Sequence, residues 1–238
     1  MSPYCSRKIS EITEGCDFEQ SIFVTLDTDW APDPVIRYAL KKLREKNIKA
    51  TIFATHASEA VFEILNDTQF EVGIHPNFNP LLEGKTQVDS KEVVEKLLEI
   101  YPASVSVRSH SLTESSKLLQ LFRSLGLKFD CNTFIPWTAD MTPCPWLLDN
   151  GIWKVPHFWE DDLFFTEDAE GVKIAAQSNK KLKVYVFHPV HIYLNTDSAA
   201  HYLRCKKHYH APDYLWALRS NCFDGSERKF EKVLSLAS

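Results

Sequence analysis

The chain has 238 residues, of which 44% are hydrophobic and 25% charged, with a formal net charge of −5. This is the length of one domain with a large buried core and the composition of a soluble globular protein. The acidic balance excludes a general nucleic-acid binder, which needs a clustered basic surface, and the short cluster of Arg204, Lys206 and Lys207 reads as a solvated loop.

Residues 1–20 are polar, without the apolar run of a secretory signal, and are read as an N-terminal extension to a domain spanning 21–238. An apolar, β-branched run from Ile22 to Leu26 predicts the first strand. Pro34 opens a helix through Lys46, with Val35, Ile36, Leu40 and Leu43 on one face. Ala50 to Ala54 predicts a second strand, and Ser58 caps a short helix carrying Val61, Ile64 and Leu65. Phe70 to Ile74 predicts a third strand that stops at His75-Pro76. Ser90 is read as the cap of a helix that puts Val93, Val94, Leu97 and Leu98 together. Val105 to Val107 predicts a fourth strand, followed by a helix from Thr113 to Leu125 with Gly126 as its stop. Leu127 to Cys131 and Ile152 to Val155 are read as strands five and six, separated by a loop rich in proline and tryptophan. Val184 to Phe187 predicts a last strand, and Ser226 the cap of a closing helix through Leu236.

No stretch approaches the roughly 18 consecutive apolar residues of a membrane helix, so no integral membrane segment is expected. The six cysteines, Cys5, Cys16, Cys131, Cys144, Cys205 and Cys222, are scattered without Cys-x-x-Cys spacing. Free thiols in a reducing compartment follow, and the expected location is cytoplasmic. Short buried strands alternating with amphipathic helices imply parallel pairing and right-handed crossovers. About seven such units favour an α/β fold of the deformed (β/α) barrel kind over an open doubly wound sheet, whose glycine-rich dinucleotide fingerprint is absent.

Ionisable residues follow five of the strands. They are Asp27 and Asp29 after the first, His75 after the third and Arg108 with His110 after the fourth. His157 and the Trp159-Glu160-Asp161-Asp162 run follow the sixth, and His188 with His191 the seventh. In a parallel barrel every strand C-terminus opens on one face, so these groups are expected to converge on a shared active site.

With these residues in order, the chain from about Ser21 to Leu194 resembles the polysaccharide-deacetylase superfamily of NodB-homology carbohydrate esterases, and more closely its members in surface-polysaccharide biosynthesis. Thr25-Leu26-Asp27-Thr28-Asp29 is similar to that family's opening Thr-Phe-Asp-Asp motif, stretched by one residue. The resemblance implies that Asp27 is the catalytic base and Asp29 a metal ligand. His75 stands at the first of the family's two metal-binding histidines, four residues apart, and Asn79 at the second. Arg108 falls where the family has an arginine that orients the base, although His110 replaces the proline of that motif. Trp159 to Asp162 resembles the segment that lines the groove and tunes the catalytic histidine, and Val186-Phe187-His188 resembles the motif ending in the general acid.

These likenesses imply hydrolysis of an N-acetyl or related acyl group from a sugar or saccharide precursor, assisted by one divalent ion, with zinc preferred and manganese or cobalt as alternatives. Asp29, His75 and Asn79 are the expected ligands, with His110 the rival for the third place; an amide oxygen is a weaker donor than imidazole. Asp161 or Asp162 would hold His188 in the right tautomer. Trp159, with Trp137 and Trp153 behind it, would stack on the sugar ring. His191 is read as a structural neighbour of His188, and His201, His208 and His210 as a loop or lid surface. A hydrolase of non-sugar amides or cyclic ureides, and a carbohydrate-binding member that has lost catalysis, are the alternative functions. The sequence implies no particular oligomeric state.

Overall fold

Every residue of Ser21–Asp27 is buried, as in a strand covered on both faces of a parallel sheet. The computed structural model describes residues 4–15, 17–139, 141–165, 169–178 and 182–237; Cys16 lies outside them. The strands in chain order are β1 (Cys5–Ser6), β2 (Ser21–Asp27), β3 (Ala50–Ala54), β4 (Phe70–Ile74), β5 (Ser106–Val107), β6 (Phe129–Asp130), β7 (Trp146–Leu147), β8 (Trp153–Lys154), β9 (Trp159–Glu160) and β10 (Val184–Phe187). The helices are α1 (Asp33–Glu45), α2 (Glu59–Phe62), α3 (Asn79–Leu82), α4 (Ser90–Ile100), α5 (Ser116–Ser124), α6 (Ala169–Ser178), α7 (Pro189–Leu194), α8 (Ala199–Cys205), α9 (Pro212–Ala217) and α10 (Ser226–Leu236).

The strands order as β7-β8-β6-β5-β4-β3-β2-β10-β9, with β1 beside β2 off this path. All these pairs are parallel except β7 with β8. β8 and β9 are parts of one run, Trp153 to Glu160, that pairs with β6 at its start and β10 at its end. Phe134 bridges His157 between them. The two ends of the sheet therefore share one length of chain, and the sheet curls into the expected deformed barrel of seven principal parallel strands.

Side chains alternate along a strand, and this alternation decides what reaches the interior. Ile22, Val24 and Leu26 join Val35, Ile36 and Leu40 of α1 in the outer core. Phe23 instead packs with Phe53, Phe129, Val155 and Val184 in a second cluster that fills the barrel. Thr25 and Asp27 share the inward parity of Phe23. The same rule turns Ile74 and Val107 outward against α4 and α5, and His75 and Arg108 inward. A Cβ added at Gly73, two residues before His75, would come within 2.5 Å of the Ser106 hydroxyl and 2.8 Å of the Phe53 ring. Glycine is favoured there because the Ser106 and Phe53 side chains of the two neighbouring strands already fill that space.

The segment expected as a polar extension contributes more than length: Ile9 and Ile12 are buried in the interior cluster, and β1 pairs with β2. Several expected helix starts shift by a residue or more. Asp89, not Ser90, caps α4 by accepting from the Glu92 N–H at 2.9 Å. Ser115 rather than Thr113 precedes α5 and caps it through the Leu118 N–H. Gly225 precedes α10, of which Ser226 is the first residue. Ser58 caps α2 as expected, and Gly126 ends α5 with φ +86°. The short helices α3 and α6 to α9 were not expected. No helix among the described residues is long and apolar enough to cross a membrane, and the five described cysteines are free.

Candidate active site

Asp27 ends β2 on the inward face and is buried. Its Oδ1 accepts from Arg108 Nη1 at 2.8 Å. That same nitrogen donates to Thr25 Oγ1 at 2.9 Å, and Arg108 Nε donates to the Cys131 carbonyl. The guanidinium, 0% exposed, lies 4.5 Å from the centroid of Phe53. Arg108 is thus fixed by β2, β3 and the residue after β6, and it fixes one oxygen of Asp27. The other oxygen, Oδ2, stands 3.8 Å from His75 Nδ1.

Asp29 lies beyond the strand, where the chain adopts left-handed backbone at both Asp29 (φ 44°) and Trp30 (φ 58°). Such conformations cost of order 1–3 kcal/mol each and persist where surrounding contacts over-determine them. Here the Trp30 N–H donates to Thr55 Oγ1 at 2.8 Å, and the Tyr209 hydroxyl donates to the Asp29 carbonyl at 2.7 Å. Burial pushes the Tyr209 phenol well above its usual range, so it remains a donor. The bend aims the Asp29 carboxylate at two imidazoles: His75 Nε2 and His110 Nδ1 both lie 3.2 Å from its Oδ1. Burial opposes the charge on Asp29, but His110, His75 and the nearby His188 outweigh it and hold the carboxyl well below the usual range.

His188 follows β10 and closes the arrangement. Its Nδ1 lies 2.7 Å from Asp161 Oδ1, its backbone N–H donates to Asp161 Oδ2 at 3.0 Å, and its Nε2 stands 3.8 Å from Asp29 Oδ2. Burial disfavours a cation here, yet the charge and hydrogen bond of Asp161, with Asp162 and Asp29, raise His188 well above an ordinary histidine. Burial pushes Asp162, at the rim, up to about 6.

Ligand-type atoms of Asp29, His75 and His110 lie within 4.8 Å of one another and are able to hold a metal ion. Their fit is supported by Asp29 Oδ1, which is buried and without a hydrogen bond although two imidazole nitrogens face it. Two imidazoles and a carboxylate are a donor set suited to zinc and neighbouring divalent ions. Two other groupings, Asp161–His188–His191 and Glu160–Asp162–His188, also bring such atoms together. They share His188, whose Nδ1 is taken by Asp161, and His191 Nδ1 lies 3.1 Å from Thr196 Oγ1.

A model of the WbmS-like polysaccharide deacetylases matches residues 24–206. The chain belongs to this family. A structure described as a polysaccharide deacetylase involved in O-antigen biosynthesis, from Bordetella bronchiseptica, is similar at 32% identity and a TM-score of 0.90, covering 98% of this chain and 97% of that one. A polysaccharide deacetylase structure from Mycobacterium smegmatis shares the fold at 16% identity and a TM-score of 0.53, over 79% and 82% of the two chains. Curated protein sequences give no match.

Family membership does not fix every residue expected from the sequence. Asp27, Arg108, Asp29, His75, His110, Asp161 and His188 converge. Asn79 begins α3, and its Nδ2 donates to Ser111 Oγ at 3.0 Å. His75 stands at a strand end rather than on that helix, so the four-residue spacing does not put the two on one helical face. His110, the rival for the third place, has its Nδ1 3.2 Å from Asp29 Oδ1. Trp159 is 0% exposed, stacked on Phe164 and packed against Phe187, so it is a core residue and presents no face to a sugar. Trp137 and Trp153 are half-buried, packed against the outer and interior clusters respectively.

A cavity of about 380 Å³ opens on Asp29 and His110, with Trp30, Tyr202, Lys206 and Tyr209 among its walls. None of these four walls was singled out from the sequence as a substrate contact. Another cavity, of about 390 Å³, lies among Ser10, Phe70 and Val105 at the opposite end of the strands, away from the converging ionisable groups.

Proposed function

We propose that this chain hydrolyses the bond between an acyl group, acetyl foremost, and a sugar nitrogen in a precursor of a surface polysaccharide. One observation carries the reading. Arginine-bound Asp27 and aspartate-bound His188 each stand 3.8 Å from the Asp29–His75–His110 group, Asp27 at His75 and His188 at Asp29. An amide hydrolase needs a base, an acid and an electrophilic centre within reach of one acyl carbon. The part of the Bordetella relative in O-antigen biosynthesis supports a saccharide substrate.

Asp29, His75 and His110 would hold one divalent ion, zinc foremost, which supplies Lewis acidity toward the acyl oxygen and acidifies a water. Asp27 takes the proton of the attacking water through Oδ2, because Oδ1 is tied to Arg108. Arg108 sets the plane of that carboxylate. His188 delivers a proton from Nε2 to the departing nitrogen, while Asp161 on Nδ1 fixes its ring and tautomer. The half-enclosed cavity beside Asp29 receives the sugar.

Two measurements test this reading. Protein stripped with a chelator should bind one zinc per chain by calorimetry, and His75→Ala should lose it. Acetate release from N-acetylated sugars should disappear in Asp27→Asn and His188→Ala variants that retain the native circular dichroism spectrum. Undiminished release by either folded variant would remove the mechanism.

A further inference from the structure

The cavity beside Asp29 has a wall that the acid–base chemistry leaves unused. Lys206 begins a 3-10 turn immediately after α8 and lines the cavity together with Tyr202, Tyr209 and His210. Its neighbour Lys207 lines a different cavity, with Arg204 and His208. Of this basic run, only Lys206 and His210 therefore face the site. Among the described residues Lys206 pairs with no carboxylate, in contrast to Lys42, Lys49 and Lys154, each of which does. The one carboxylate lining the cavity is Asp29, and it is turned toward His75 and His110.

The free charge of this half-enclosed wall is thus positive, and a bound divalent ion would add to it. A cleft lined by one sign of charge selects ligands of the other. Trp30, Tyr202 and Tyr209 supply aromatic rings, and Tyr202 a hydroxyl, suited to a sugar between that charge and the reacting bond.

We propose that the substrate is an anionic saccharide, its carboxylate or phosphate read by the Lys206 ammonium at the end of the cavity opposite the reacting acyl group. This deepens the deacetylase reading and rests on it for the position of the scissile bond. Lys206 is a specificity residue under this proposal: it binds a charge already on the sugar and takes no part in proton transfer.

Binding without turnover tests it, in Asp27→Asn protein loaded with zinc. The probes are N-acetylglucosamine, its 1-phosphate and its 6-carboxylate, titrated by calorimetry at low salt. At least one anion should bind about tenfold tighter than the neutral sugar, the scale of one charge-assisted hydrogen bond. Lys206→Met should abolish that preference, whereas Lys206→Arg and Lys207→Met should keep it. The anion that gains most distinguishes a carboxylate on the ring from a phosphate linkage. Equal affinity for all three probes, absence of binding by all three, or a preference that survives Lys206→Met overturns the proposal. Acetate release by the wild-type chain is measured separately. Its absence with every probe would defeat the deacetylase reading, while the binding preference still decides the role of Lys206.

Discussion

Asp161 grips His188 at two points, one carboxylate oxygen on the backbone N–H and the other on Nδ1. The histidine is therefore held in position and ring orientation by one side chain, which also contributes most to keeping it charged. Asp161→Asn keeps the shape and removes the charge that raises His188. Turnover should fall by about 10²–10⁴-fold, the range for a positioned acid. Because the charge that raises His188 is lost, its proton leaves at lower pH, and the alkaline limb of the rate profile should move down. A pH–rate series on the variant checks both, and an unmoved limb would refute the positioning role.

Arg108 and Asp27 form an ion pair in which neither side chain is more than 3% exposed. Removing one partner from such a pair leaves an uncompensated buried charge, at about 3–5 kcal/mol. Arg108→Met should lower stability on that scale in urea unfolding, and adding Asp27→Asn should recover part of the loss. A change below about 1 kcal/mol in the single variant would mean that the pair is hydrated and loosely held.

The third metal position separates two residues that the sequence left in competition. His110→Ala should weaken zinc binding by more than about a hundredfold, beyond the 10–100-fold expected for loss of an outer partner of a ligand. Asn79→Ala should change it by less than about tenfold, since the Asn79 amide is engaged with Ser111. Calorimetric titration of both variants decides the order, and the reverse order would return Asn79 to the ligand set.

His157 is 0% exposed, and burial together with the Arg108 charge depresses it from 6.5 to about 3. The folded chain keeps this imidazole neutral, whereas the unfolded chain protonates it below about pH 6.5. Between those limits the unfolded state binds more protons, so stability rises with pH across the window and is lost as pH falls through it. Urea midpoints from pH 7 to 4 should decline, and the decline should be shallower in His157→Gln. Equal slopes in the two proteins would show that other groups dominate acid unfolding.

Much of this arrangement was legible because strand alternation and strand-end chemistry are local. The Ile22 to Leu26 run announces β2, and parity alone then puts Asp27 inside with Phe23. His75, Arg108 and His188 follow by the same counting. The residues that escaped did so for tertiary reasons. Trp159 stands beside acidic residues in sequence, yet the continuous run from β8 to β9 turns its ring into the core. Asn79 has the right spacing from His75 but begins a short helix beyond the strand end, where its amide nitrogen meets Ser111. Trp30, Tyr202 and Lys206 meet only because α8 and the turn after it fold back over the bend that follows β2, a contact no periodicity records. β7 spans two residues and α7 to α9 six or seven each, too few for a periodicity to announce them.

The phenol of Tyr209, anchored on the Asp29 carbonyl, comes from beyond residue 206, where the family match ends. The working unit accordingly extends past the residues that the family model matches. A chimera joining residues 24–206 to a foreign tail would retain Asp27, Asp29, His75, Arg108, His110, Asp161 and His188. It would nonetheless lose the tether on a left-handed bend and two aromatic or basic walls, Tyr209 and His210. Replacing the tail would therefore release the bend that aims Asp29 at His75 and His110, although none of those three residues had changed.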